Sequence, residues 1–220
     1  MKKRAIILGT YDTAQLWTLC ECKLTDPEQQ TNFVNVVGGI PLDFSTALTD
    51  GEPSYNSRSL TARLECSEGT RQTRKDWISE MVNALDGQRL NIVHPDYPAH
   101  YLTGRVRVTV DYNTLAHASV TVTATCEPWL YSNRERAYTL TAADAEQVAV
   151  LTNSGRRALV PQVTITGAGA SVRLVYGSIS YALGPGTFTL PDLYLRQGDT
   201  LLTYSGTGTA VITYREAVLQ

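Results

Sequence analysis

The stretch LTGRVRVTVDYNTLAHASVTVTATC, residues 102–126, carries the clearest fold signal in the chain. Val106, Val108 and Val110 alternate with Arg105, Arg107 and Thr109, so one side is apolar and the other arginine and threonine. Val120, Val122, Ala124 and Cys126 repeat the pattern after a turn around Asn113 in YNTLAH. Successive side chains of a strand point to opposite faces, so this alternation predicts an antiparallel hairpin with one buried face.

Working outward, residues 15–24 (QLWTLCECKL), 31–37 (TNFVNVV), 59–66 and RLNIV (89–93) also read as strands. One helix interrupts them in TRQTRKDWISEMVNALDGQ, where Trp77, Ile78, Met81, Val82 and Leu85 make a single apolar stripe. Thr73 with Asp76 resembles a capping box, and Gly87 stands where a helix C-terminus wants a glycine. Arg71, Arg74, Lys75, Asp76 and Glu80 form the opposite face. That face reads either as solvated or as meeting a neighbouring subunit.

The strand rhythm breaks near residue 127, where CEPWLYSNRERAY brings in Pro128, aromatic residues and mixed charge. Beyond it follow short strands at 147–152, 162–166, 171–176, 187–195, 200–204 and 209–214, with turns at NSG, GAGA, GPG, QGD and SGTG between them. Such spacing predicts a β-sandwich. The expected fold class is therefore mainly β: an α+β unit with one helix over residues 1–130, then a smaller all-β unit over 131–220.

Composition narrows the function. A chain of 220 residues with 43% apolar and 18% charged residues is long enough for two modest domains. A net charge of −2 offers no bulk electrostatic attraction to nucleic acid or to a membrane surface. Lys2, Lys3 and Arg4 before AIIL imitate a signal peptide, but four apolar residues are too few for a secretory core of about seven or more. The expectation is a soluble protein made in a cytosol.

Few residues suggest chemistry. Of the four cysteines, Cys20 and Cys22 lie two apart and are expected on one strand face, while Cys66 and Cys126 end other strands. The CxC spacing is tighter than a zinc knuckle, and reduced core cysteines compete with a metal site. HPDYPAH (94–100) gathers His94, Asp96 and His100, yet its two prolines give neither helical nor strand spacing. No phosphate-cradling loop, nucleophile elbow or carboxylate pair is present, so neither an enzyme nor a cofactor is expected. A lectin-like, carbohydrate-binding sandwich is the alternative, since Tyr138, Tyr176, Tyr181, Tyr194, Tyr204 and Tyr214 fall in the second unit.

Taken in order, DGxxxYxxRxLTxxL before a charged helix, GRVRVxxxYNxLAHAxVTVTATCEPWLY, NSGRRALVPQVTITG and GTAVITYREAVL resemble the distal tail protein (Dit) family of long-tailed phages. The resemblance runs from about residue 15 to the C-terminus. It implies a tail-tube-like β-sandwich or split barrel, then a galectin-like β-sandwich. It also implies a homohexamer whose ring joins the tail tube to the tail tip or baseplate and lets DNA pass through its lumen. The implied partners are the tail-tube, tape-measure and tail-tip or fibre proteins, without sequence-specific nucleic-acid binding or a membrane. The implied location is the virion, after assembly in the bacterial cytoplasm. No gap between strands in 135–220 is long enough for the inserted arms or carbohydrate-binding modules of some relatives, which assigns receptor contact to neighbouring proteins.

The resemblance also gives a task to the loop that opens LTDGEPSYNSRSLTARLEC (48–66). Loops beside a sheet edge bridge adjacent subunits in tube-like proteins, so Leu48, Asp50, Gly51, Tyr55 and Arg58 are expected at a subunit interface. A self-packed loop with Arg58 paired locally is the other reading.

Overall fold

The computed structural model describes residues 4–35, 38–46 and 52–219. The chain forms two compact units, residues 1–128 and 129–219. The first contains β1 (Ile7–Leu8), β2 (Tyr11–Asp12), β3 (Thr18–Leu24), β4 (Phe33–Val34), β5 (Leu42–Asp43), β6 (Arg58–Cys66), α1 (Arg71–Leu85), β7 (Arg89–Val93), β8 (His100–Asn113) and β9 (Ala118–Cys126). Its main sheet runs β2-β1-β7-β8-β9-β6-β3, with antiparallel pairing throughout.

Register explains its stability. Leu60, Ala62 and Leu64 of β6 stand opposite Ala124, Val122 and Val120 of β9, which in turn face Val106, Val108 and Val110 of β8. Leu60, Ala62, Leu64, Val120 and Val122 are fully buried. Each large aliphatic side chain buried this way contributes roughly 1.5–3 kcal/mol. The cover ends before Val110, which stays 45% exposed.

The helix supplies Ile78, Met81 and Leu85 to the same core, with Trp77 and Val82 half-buried. Two expectations are corrected here. The N-cap is Thr70, whose hydroxyl accepts from Thr73 N at 3.2 Å, so the helix begins one turn earlier than the Thr73–Asp76 pair implied. Arg74 does not join the charged face. It is 1% exposed and donates to the carbonyls of Glu68, Gly69, Thr114 and Leu115, tying the helix start to the β8–β9 turn. Gly87 does end the helix, at φ +74°, a region other residues seldom adopt. Its N–H donates to Val106 O, and the Asp86 carboxylate accepts from Val108 N, so the helix end is pinned to β8.

The second unit contains β10 (Leu130–Ser132), β11 (Arg136–Ala142), β12 (Gln147–Asn153), β13 (Gln162–Tyr176), β14 (Ile179–Leu183), β15 (Gly186–Thr189), β16 (Gly198–Tyr214) and β17 (Ala217–Val218). The predicted strands 162–166 and 171–176 are one strand with a register shift between Thr166 and Ser171. Those at 200–204 and 209–214 are likewise one strand. The two long strands pair along their length and bend together. One half carries β11 and β15, the other β12 and β14, and both bury side chains in a shared core including Leu140, Leu151, Ile165, Leu174 and Ile212.

Candidate functional site: an exposed finger and a basic groove

The sequence candidates for chemistry resolve into structural roles. His94 is buried, and its Nδ1 accepts from Asp96 N at 3.2 Å. Burial holds its pKa below the ordinary imidazole value, so the ring is neutral near pH 7. Asp96 is turned to Arg4, 2.6 Å away, and His100 opens β8, where its N–H donates to Tyr97 O. Among the described residues, no three His, Cys, Asp or Glu side chains gather where they could hold a metal. Cys20 and Cys22 do not share a face. A register shift between Leu19 and Glu21 makes Cys20 the extra residue of a bulge, exposed, while Cys22 turns inward opposite Ala62. Burial pushes the Cys22 and Cys126 thiols up to about 11, which keeps both protonated and unreactive.

Of the five residues expected at an interface, Leu48, Asp50 and Gly51 lie outside the described residues. Tyr55 is half-buried and forms an isolated bridge with Gln29. Arg58 is turned into its own unit: it is 1% exposed, and its guanidinium donates to Thr25 O at 2.8 Å and to Pro128 O at 3.4 Å. Burial lowers its pKa, with the charge of Asp26 opposing that shift. The structure therefore separates the two, with Arg58 bracing the base of the excursion and Tyr55 on its stem.

That excursion, residues 25–57, contains what the sequence reading missed. Its stem is closed by Gln29 against Tyr55, by Gln30 N–H to Ser54 O and by Asn56 N–H to Glu28 O. Beyond the stem, β4 and β5 form a two-stranded finger; of the strand expected at 31–37, Phe33–Val34 is strand and residues 36–37 lie outside the described residues. Phe33 is 58% exposed, Ile40 87% and Leu42 51%, with Val34 and Phe44 also open. A patch so apolar is unusual on the surface of a lone soluble chain. The excursion carries Asp26, Glu28, Asp43, Asp50 and Glu52 and no Lys, Arg or His. The absence of any basic residue was the available signal.

Two further surfaces belong to the first unit. An open groove of about 620 Å³ lies between the first turns of α1 and the end of β8, lined by Arg71, Gln72, Lys75, Ile78, Val110 and Asn113. The sheet face opposite the core presents Ser59 and Thr61 of β6, Arg105 and Arg107 of β8, and Thr123 and Thr125 of β9. Beside these arginines, Lys23 pairs with Glu21, Arg63 with Glu65 and Arg89 with Glu127, while Arg105 itself donates to Gly87 O. In the second unit, tyrosines act as framework. The Tyr138 and Tyr214 rings stack at 6.0 Å, the Tyr214 hydroxyl donates to Thr152 O, and the Tyr176 hydroxyl donates to Tyr194 O.

No protein-family model and no curated protein matches the chain by sequence. Among solved structures, the chain is similar to the SPP1 Dit (gp 19.1) protein, described as a paradigm of the hub adsorption apparatus in phages that infect Gram-positive bacteria. The likeness has a TM-score of 0.66 at 14% identity and covers 97% of this chain and 98% of that one. Over nearly its whole length, this chain has the fold of a phage Dit protein.

Proposed function

We propose that the chain is a structural subunit of a phage tail, a homohexameric ring that joins the tail tube to the tail tip or baseplate. The observation that carries this reading is the likeness of fold along both units to a solved hub protein. In this reading residues 1–130 are the tail-tube-like, ring-forming domain and 131–220 the galectin-like sandwich. The tail-tube, tape-measure and tail-tip proteins are its partners, in the virion.

Physical features of the first unit support a ring. The sheet ends at β2 on one side and β3 on the other, and head-to-tail closure lets neighbours cover such edges. The threonine and arginine face is the one we assign to the lumen, because its opposite face is already buried beneath side chains of its own unit. Affinity for DNA rises with the number of phosphates neutralised. Lys23, Arg63 and Arg89 beside this face are paired with carboxylates, which limits its grip on phosphate and suits passage of DNA. Leu48, Asp50, Gly51 and Tyr55 belong to the subunit interface in this proposal, while Arg58 acts from inside by bracing the base of their excursion.

The test is direct imaging. Negative-stain microscopy and mass photometry over a range of concentrations, alone and with tail-tube and tip proteins, should show six-fold rings with an open centre. A chain that stays monomeric in every mixture would overturn the reading and favour a glycan-binding sandwich.

A further inference from the structure

We propose that the free edge of β12 takes up an extended strand from a partner protein, one that alternates apolar residues and ends in a Lys or Arg. The inference concerns the second unit alone and stands apart from the ring reading. β12 pairs with β16 on one side, and among the described residues no strand pairs with the other. An antiparallel strand aims the main-chain groups of alternate residues at each neighbour. At Thr152 the outward N–H donates to the Tyr138 hydroxyl, and the outward carbonyl accepts from that of Tyr214. Two and four residues earlier, Val150 and Val148 point the same groups outward, and no described residue bonds them. The fold therefore closes one end of this edge and leaves the other open.

The open stretch also lacks the devices that keep an edge solitary. QVAVLTN holds no charge, proline or glycine, and it pairs with β16 without a bulge. Val148 and Val150 are 64% and 46% exposed, and Leu201, directly opposite Val150, is 66% exposed. Paired residues share a face, so the three form one apolar patch beside unpaired backbone. Main-chain bonds along an edge, with side chains read at alternate positions, are how a sheet receives an extended peptide.

Charge selects the partner. No Lys, Arg or His stands between Arg136 and Arg156, while Asp144 and Glu146 are exposed just before β12. Their loop is held against the sheet, since Gly206 N–H donates to Ala143 O. An incoming strand antiparallel to β12 passes Val150, then Val148, then Glu146. Its matching sequence is an apolar residue, a second one two positions on, and Lys or Arg two positions after that. A second copy of β12 brings no such cation, because the strand and its flanks carry none.

Fluorescence anisotropy with the full chain tests this, using a labelled synthetic peptide that alternates valine with threonine and ends in lysine. Titration should saturate at one peptide per chain. A peptide ending in glutamate should bind about tenfold more weakly, and Glu146→Lys should reverse that preference. N-methylation of the peptide amides that face β12 should weaken binding about tenfold or more, whereas methylation of the opposite edge should not. No binding, equal binding of the two methylated peptides, or a preference untouched by Glu146→Lys would overturn the proposal. Self-association of the chain that Val148→Lys abolishes would also overturn it, by assigning the edge to a second copy. The titration needs no ring, so its outcome is separate from that of the imaging.

Discussion

The β6–β9–β8 sheet and the β4–β5 finger draw on the same kinds of residue but stand in opposite surroundings. Leu60, Leu64, Val120 and Val122 have helix α1 and neighbouring strands to lie against, and they lose all contact with water. Phe33, Val34 and Leu42 sit on two strands of two residues each, with Phe44 just after the second, beyond a narrow stem, and all four stay open. Apolar alternation thus specifies that a surface wants covering and says nothing of which chain covers it. In the sheet the cover is internal; in the finger the described residues of its own unit do not provide it.

Mutations separate the two regions. The largest loss of stability is expected for Leu64→Ala, which opens a cavity in a fully buried site. A cost of about 2–5 kcal/mol is typical, read by urea unfolding of the monomer. An unchanged midpoint would mean that the sheet's cover is looser than its register implies. Arg58→Ala should come next, at about 1.5–3 kcal/mol, because it leaves the carbonyls of Thr25 and Pro128 without their charged donor. If Arg58→Ala weakened assembly while leaving monomer stability untouched, the arginine would belong to an interface and not to the interior.

A smaller effect follows pH. His94 is held neutral, with a folded-state pKa depressed below its unfolded value. The unfolded chain therefore binds a proton first as pH falls below about 6.5, and stability declines from there down through the folded pKa. His94→Gln should flatten that slope between pH 7 and 5 in chemical denaturation. Smallest of all is Phe33→Ser, expected within about 0.5 kcal/mol of the parent in monomer stability, as for other surface changes. Sedimentation should nevertheless show weakened assembly, and a large loss of monomer stability would place Phe33 in its own unit's core.

Strands β6, β8 and β9 were legible because each carries a buried face, and period two is then written without interruption from Val106 to Val110 and from Val120 to Ala124, whereas β1 and β2, of two residues each, are too short to show a period and were not expected. The second unit was legible as strands but not as connections. GAGA and SGTG read as turns, whereas Gly206 and Gly208 lie within a continuous strand, at φ +111° and +108°. A Cβ at Gly206 would come within 2.1 Å of Ser171 O, so the glycines allow two long strands to approach while bending. Sequence gives the same signal for a turn and for a bend in a paired ribbon. Arg74 was misplaced for a similar reason. Its helical position says charged face, and only the four carbonyls supplied by the β6–α1 turn (Glu68, Gly69) and the β8–β9 turn (Thr114, Leu115) make the interior habitable for it.

The long bent strand β16 has a consequence for synthesis. It pairs with β11 and β13 through its second half and with β12 and β13 through its first, so it is the axis of the second unit. It is also translated after all three. While the ribosome is still adding residues before Gly198, β11 and β12 lack the partner that both of them pair with. The first unit has no such dependence, since every strand of its main sheet precedes Glu127. Folding during translation is therefore sequential: the first unit closes early, and the second condenses only once β16 has emerged. Ribosome-bound chains halted at Arg196 should resist protease through residue 126 and be cut freely beyond it.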